Sequence, residues 1–157
     1  MTSEISIRKA SVDDLDKILQ LNLKLFNNDA QFDATLNLDW PNTAQAREYF
    51  EARIKYHCAL LAEDQDSPIG YLFGALAKVP DYRSLSALTE LENMFVEEAY
   101  RSKGLGKRLV LKFLEWSKEQ NAQKIRVAAS ALNEGTVSFY RSLGFIPHEL
   151  SLEIDNS

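Results

Sequence analysis

The sequence predicts a mixed α/β domain, on three observations. Short apolar, strand-like runs alternate with segments whose apolar residues recur at helical spacing. One such run, Glu90-Leu91-Glu92-Asn93-Met94-Phe95-Val96, stops at a glycine-bearing turn, and a strongly helical pattern starts from that turn. The 157 residues, 45% hydrophobic and 26% charged, suffice for one domain with one core, residues 1–157, and make a second domain unexpected.

Along the chain, Ile5-Ser6-Ile7-Arg8 alternates as a strand. Ser11 is placed to cap a helix from Val12 to about Phe26, built on Leu15, Ile18, Leu19 and Leu25. Asn27 to Asn42 is polar and reads as a loop, until Asn42 or Thr43 caps a second helix that reaches about His57. Cys58–Glu63 and Ile69–Ala77 form a predicted hairpin about the turn Asp64–Ser67. The loop Val79–Ser84 leads into the strand ending at Val96. Leu105 to Gln120 then returns Leu105, Leu109, Phe113 and Trp116 as the core stripe of a long helix. A strand at Lys124–Ala129, a helix at Asn133–Leu143 and strand-like sequence from Phe145, above all Leu150-Ser151-Leu152-Glu153-Ile154, complete an expected set of six to seven strands and four helices.

Composition excludes several classes of function. A single cysteine rules out an internal disulfide, and Cys58 reads as a buried strand residue rather than a nucleophile. Two histidines and one cysteine cannot fill an ordinary four-ligand zinc site without carboxylates, so no metal is expected. The formal net charge of −5 argues against general nucleic-acid binding and is compatible with a cationic substrate. No apolar run of about 18 residues is present to suggest a membrane partner, and Met1-Thr2-Ser3-Glu4-Ile5 lacks the basic-then-apolar order of a signal peptide. A soluble cytoplasmic protein is the expectation, with homodimer formation left open.

Against that acidic background, Arg101-Ser102-Lys103-Gly104-Leu105-Gly106-Lys107-Arg108 carries four cations and no acid. The first N–H groups of a helix lack intrahelical partners, and the macrodipole adds positive charge there, so a phosphate can be held by main chain if side chains stay clear. Gly104 and Gly106 would keep that approach open. Taken alone, the cluster reads equally as a plain loop with a solvated helix start.

The chain resembles the GNAT superfamily of acetyl-CoA-dependent N-acetyltransferases over essentially its full length. The family's motif of Arg or Gln, two residues, Gly, one residue, Gly or Ala is met by Arg101-Ser102-Lys103-Gly104-Leu105-Gly106. A second motif, an Asn, an aromatic pair ending in Tyr and a Gly-Phe, is met by Asn133, Phe139-Tyr140 and Gly144-Phe145. The resemblance implies a strongly twisted mixed sheet with a splayed parallel strand pair. It implies acetyl-CoA as co-substrate, its pyrophosphate on the backbone of Ser102 to Lys107 beside Arg101, and its pantetheine arm on Met94, Phe95, Val96, Asn133, Thr136 and Tyr140. It also implies an acceptor pocket beneath the segment holding Asn27, Asn28, Asp29, Asp33, Asp39 and Trp40.

The chemistry needs a proton acceptor for the amine, donors for a developing oxyanion and a proton for the leaving thiolate. The resemblance assigns the last role to Tyr140. A backbone N–H at Met94 or Phe95 is the candidate oxyanion donor. Strand alternation puts Glu90, Glu92, Met94 and Val96 on one face and Leu91, Asn93 and Phe95 on the other. Glu92, acting through water, is the preferred base and Glu90 the alternative. The expected reaction is direct transfer of acetyl to a primary amine of a small molecule or peptide. A non-catalytic acetyl-CoA-binding module is the other reading. Asn133 also reads as a helix N-cap, Tyr140 as half-buried packing and Glu92 as a solvent-facing strand residue.

Overall fold

The computed structural model describes residues 4–156; the reading of Met1-Thr2-Ser3 lies outside them. The chain runs β1 (Ile5–Lys9), a 3-10 turn at Val12–Asp14, α1 (Leu15–Asp29), a second such turn at Trp40–Asn42, α2 (Ala44–Tyr56), β2 (Cys58–Asp64), β3 (Ser67–Ala77) and β4 (Leu88–Val96). A turn at Glu98–Tyr100, α3 (Leu105–Glu119), β5 (Lys124–Val127) and α4 (Glu134–Ser142) follow. One sheet has the order β1-β2-β3-β4-β5, antiparallel up to β4, with β5 parallel to β4.

β2 and β3 are apolar at nearly every position because helices cover both faces of the sheet. Alternate residues divide between two cores. Cys58, Leu60, Ala62 and Leu72 pack with Leu105, Leu109 and Phe113 of α3, whereas Ala59, Leu61, Tyr71 and Phe73 pack with Ile18 of α1 and Phe50 of α2. Gly74 lets α3 lie close: an added Cβ would stand 2.3 Å from the Phe113 ring and 2.8 Å from the Glu90 carbonyl oxygen. At the first edge, Arg8 of β1 donates from Nε to Glu63 at 2.7 Å and from Nη1 and Nη2 to Asp14 at 2.8 and 2.9 Å. That fork ties β1 to β2 and to the start of α1, and it holds the Asp14 carboxyl well below its ordinary range.

Two expectations about the sheet change, and α1 runs on to Asp29 instead of ending near Phe26. The sheet has five strands among the described residues, not six or seven: residues 145–156 enter no ladder. The simple alternation in β4 fails because the register slips between Leu91, opposite Gly74, and Asn93, opposite Phe73, leaving Glu92 as a bulge. Leu91, Met94 and Val96 consequently belong to the α3 side, while Glu92, Asn93 and Phe95 meet the α1–α2 side. Met94 and Val96 thus stand across the sheet from Glu92, the reverse of the expected pairing.

Candidate active site

The parallel pairing of β4 and β5 runs from Leu88 opposite Lys124 to Leu91 opposite Val127 and stops there. Beyond that point the strands part at the bulge. The gap widens into a cleft of about 240 Å³ lined by Glu92, Asn93 and Met94 from β4, Val127 to Ser130 from β5 and its exit, and Asn133, Thr136 and Tyr140 from α4. Leu25 and Asp29 of α1, with Phe32, Asp33 and Leu36 from the turns after it, close the other side.

Beside this cleft stands the N-terminus of α3: a Cβ added to Gly106 would lie 3.8 Å from the Met94 methyl, and Met94 lines the cleft. Ser102 at φ 62° and Gly104 at φ 86° turn the chain, and Gly104 is the helix N-cap; a Cβ there would meet nothing, so conformation rather than space demands glycine. The first intrahelical bond is donated by Arg108 N–H to the Gly104 carbonyl at 3.0 Å, which leaves the N–H groups of Leu105, Gly106 and Lys107 without intrahelical acceptors. Gly106 has a different reason. A Cβ there would come within 3.3 Å of the Phe139 ring, so this glycine also seats α3 against α4. Two of the four cations serve as ties: Arg101 Nε donates to the Val96 carbonyl at 2.8 Å, and Arg108 reaches the Ile5 carbonyl at 3.4 Å. Lys103 and Lys107 are exposed. These free N–H groups, the conformation at Gly104 and the two exposed lysines fit a pyrophosphate.

Tyr140 is buried to 7% exposure in the cleft wall, its ring edge-on to Phe139 and Phe145. Burial, with the Asp29 charge adding to it, pushes its phenol up to about 12. Asn133 is the N-cap of α4 and accepts the Thr136 N–H at 3.2 Å, so the capping role is real and coexists with a place in the cleft. Met94 lines the cleft, whereas Phe95 and Val96 are buried on opposite faces.

Glu92 lines the cleft with both oxygens engaged: Arg53 of α2 donates from Nε at 2.8 Å and from Nη2 at 2.9 Å. The same guanidinium lies 3.9 Å from the centre of the Tyr49 ring, and the Tyr49 hydroxyl accepts from Asn93 Nδ2 at 3.3 Å. Neither Arg53 nor Tyr49 stood out in the sequence, because their spacing on α2 is that of any amphipathic helix. The bidentate partner of Glu92 lies 39 residues away.

Of the residues expected at the acceptor side, Asp29 and Asp33 line the cleft. Burial raises the Asp29 carboxyl above its ordinary value, against a hydrogen bond from Asn28 Nδ2 at 3.3 Å and the charge of Arg101. Asp33 is exposed and accepts from the Thr35 N–H and hydroxyl. Asn27 is exposed, and neither it, Asp39, Glu90 nor Trp40 borders the cleft. Trp40 stacks one face on Phe26 at 5.6 Å and also packs against Tyr49 and Phe50, so the ring serves the packing of this loop.

A sheet whose parallel pair opens over a helix N-terminus defines the class of α/β proteins that hold a ligand beyond the carboxyl ends of adjoining strands. The chain belongs to the acetyltransferase (GNAT) family, whose model matches residues 23–145. It is 25% identical over 147 residues to an uncharacterized N-acetyltransferase of Methanocaldococcus jannaschii, covering 92% of this chain and 62% of that one. The chain spans less than two thirds of the length of the curated relatives it matches. Among solved structures, aminoglycoside N-acetyltransferase AAC(6')-Iy in complex with CoA superposes with TM-score 0.76 at 17% identity, covering 99% of this chain and 97% of that one. AAC(6')-Ih of Acinetobacter baumannii gives 0.75 at 21% identity, covering 98% and 99%. These likenesses establish the fold.

Proposed function

We propose that this chain transfers the acetyl group of acetyl-CoA to a primary amine of a small, positively charged acceptor. One observation carries the reading. The carboxylates Asp29 and Glu92 line the gap that opens between β4 and β5, with Tyr140 in its wall, and the unbonded N–H groups at the start of α3 lie beside it, Gly106 standing against Met94 of the same wall. Backbone of Ser102 to Lys107 holds the pyrophosphate, and the parted edge of β4 at Met94 to Val96, with Asn133 and Thr136, holds the arm. An N–H at Met94 or Phe95 donates to the thioester oxygen as charge develops on it.

Tyr140 faces the leaving sulfur. A phenol at about 12 against a thiol near ~8.5 makes complete proton transfer uphill by roughly 5 kcal/mol. The hydroxyl therefore stabilises the thiolate by donating a hydrogen bond, and solvent or the acceptor's proton completes neutralisation. For the amine, Glu92 relays the proton through water, aimed by the Arg53 fork. A second reading is favoured by a specific observation: among the described residues no salt bridge reaches Asp29, and burial raises its proton affinity above the ordinary carboxylate value. Asp29 with Asp33 also supplies the negative field that selects a cation. The aminoglycoside acceptors named for the structural neighbours are in keeping with such a field.

The test is release of free thiol from acetyl-CoA against a panel of polyamines, diamino acids, aminoglycosides, lysine peptides and neutral amines. Turnover fastest with polycationic amines supports the proposal. Thermal stabilisation by CoA with no thiol release on any amine would leave a CoA-binding module instead.

A further inference from the structure

The wall that α1 and its following turns give the cleft carries a pattern of its own. Leu25, Asp29, Phe32 with Asp33, and Leu36 recur at steps of three or four residues, so the inward face of the helix continues past its last residue. Bonds from the Phe32 and Asp33 N–H groups to the Asp29 carbonyl, at 2.9 and 3.1 Å, keep that stretch helically wound. Phe32 and Leu36 are half-buried while residues 33–35 and 37 are exposed, and both line the cleft.

Two carboxylates of this wall keep an oxygen free. Asn28 donates to Oδ1 of Asp29, and the Thr35 N–H and hydroxyl both go to Oδ1 of Asp33, so that Oδ2 of each joins no hydrogen bond or ion pair among the described residues. Glu92, by contrast, has both oxygens in the Arg53 fork. Asp29 is the inner member of the pair, half-buried and with its charge felt at Tyr140, whereas Asp33 is exposed. Four residues apart on a helical turn, their Cβ atoms lie about 6 Å from one another. The rest of the wall, Leu25, Phe32 and Leu36, is hydrocarbon and offers no side-chain donor or acceptor. The neutral polar groups Ser130, Asn133, Thr136 and Tyr140 belong to the β5–α4 side.

We propose, resting on the acetyl-transfer reading, that the acceptor is an unbranched aliphatic diamine, with its attacking nitrogen beside Asp29, its methylenes on Phe32 and Leu36 and its far ammonium on Asp33. Methylenes laid on this wall remove apolar surface from water. Sugar hydroxyls laid there lose their water without gaining a partner, which is costly. A monoamine leaves the Asp33 charge unanswered. The wall therefore separates aliphatic diamines from the aminoglycosides named for the structural neighbours, although both are cationic. In the reaction the near nitrogen forms the C–N bond as the thioester C–S bond breaks, and its surplus proton ends on the CoA sulfur by way of carboxylate and solvent.

The test is thiol release from acetyl-CoA with diaminobutane, the same diamine bearing hydroxyls on both inner carbons, butylamine and an aminoglycoside. kcat/KM should be about tenfold or more higher for diaminobutane than for its hydroxylated twin, which has the same two amines and the same reach. Asp33→Asn should lower the diamine value about fivefold relative to butylamine, the order of an exposed ion pair. Phe32→Ser should shrink the ratio of diamine to twin towards one. Each readout is a ratio within one protein sample, so a loss of folded protein does not imitate it. Butylamine, the twin or the aminoglycoside turned over as fast as diaminobutane overturns the diamine assignment and leaves acetyl transfer standing. So does an Asp33→Asn variant that slows diamine and monoamine alike. No thiol release from these or any other amine of the wider panel overturns both readings.

Discussion

The two sides of the cleft are built on different principles. The α3 side is eight consecutive residues, Arg101 to Arg108, and the groups proposed to hold the pyrophosphate are main-chain N–H donors set by two residues of positive φ. The proposed acceptor side gathers Asp29 from α1, Glu92 and Asn93 from a bulge in β4, and Arg53 and Tyr49 from α2. A site made of backbone tolerates loss of side chains and fails when the backbone cannot turn. A site made of distant side chains tolerates local strain and fails when packing shifts.

The largest expected effect strikes the acceptor side through its packing. Trp40→Ala removes the ring wedged between Phe26, Tyr49 and Phe50, and should cost about 3 kcal/mol of stability by denaturant unfolding. Its CoA-induced thermal shift should remain. A variant as stable as wild type but with raised acceptor KM would return Trp40 to a binding role.

Gly104→Val attacks the other side. A β-branched residue at φ 86° cannot keep the N-cap conformation, so the stabilisation by CoA, about 2.7 kcal/mol at 100 times its Kd, should vanish. Lys103→Ala should weaken CoA only several-fold, with an effect that shrinks as salt rises. If the lysine change proved the more damaging, side chains and not backbone would hold the phosphates.

Tyr140→Phe sits between the two sides. Loss of the hydroxyl should lower turnover about 10²-fold with CoA affinity little changed, measured by thiol release and thermal shift. Unchanged turnover would reduce Tyr140 to packing.

Asp29→Asn separates chemistry from stability. A carboxyl whose pKa is raised by burial costs the folded state stability above that raised value, and the cost disappears as pH falls through it. The variant should therefore melt higher at pH 7, with the gain fading on acidification, while kcat/KM for a cationic amine drops about tenfold. If Asp29 is the base, the acidic limb of the pH–rate profile goes with it; if that limb survives in Asp29→Asn and is lost in Glu92→Gln, the base is Glu92. Higher stability with full activity would make Asp29 a bystander.

The residues that could be read in sequence are those whose role is local. The cap of α2, left between Asn42 and Thr43 and falling to Thr43, the hairpin β2–β3, the stripe of α3 and the glycine turn each depend on contacts within a few positions, and the structure keeps them. The failures are non-local. Asp29 fell to helix instead of loop because α1 continues to that residue, where Phe32 and Leu36 beyond it close the cleft. Glu92 changed partners because a single register slip against β3 reverses which side chains share a face.

The order of elements from β1 to α4, the turn that needs glycine and the basic character of the α3 start were determined by the amino-acid sequence alone, since propensity, periodicity and backbone stereochemistry act over short separations. Which carboxylate faces the cleft and which arginine engages it were decided only in the tertiary structure. Those outcomes depend on strands and helices meeting at separations of tens of residues, where one bulge redirects every side chain that follows.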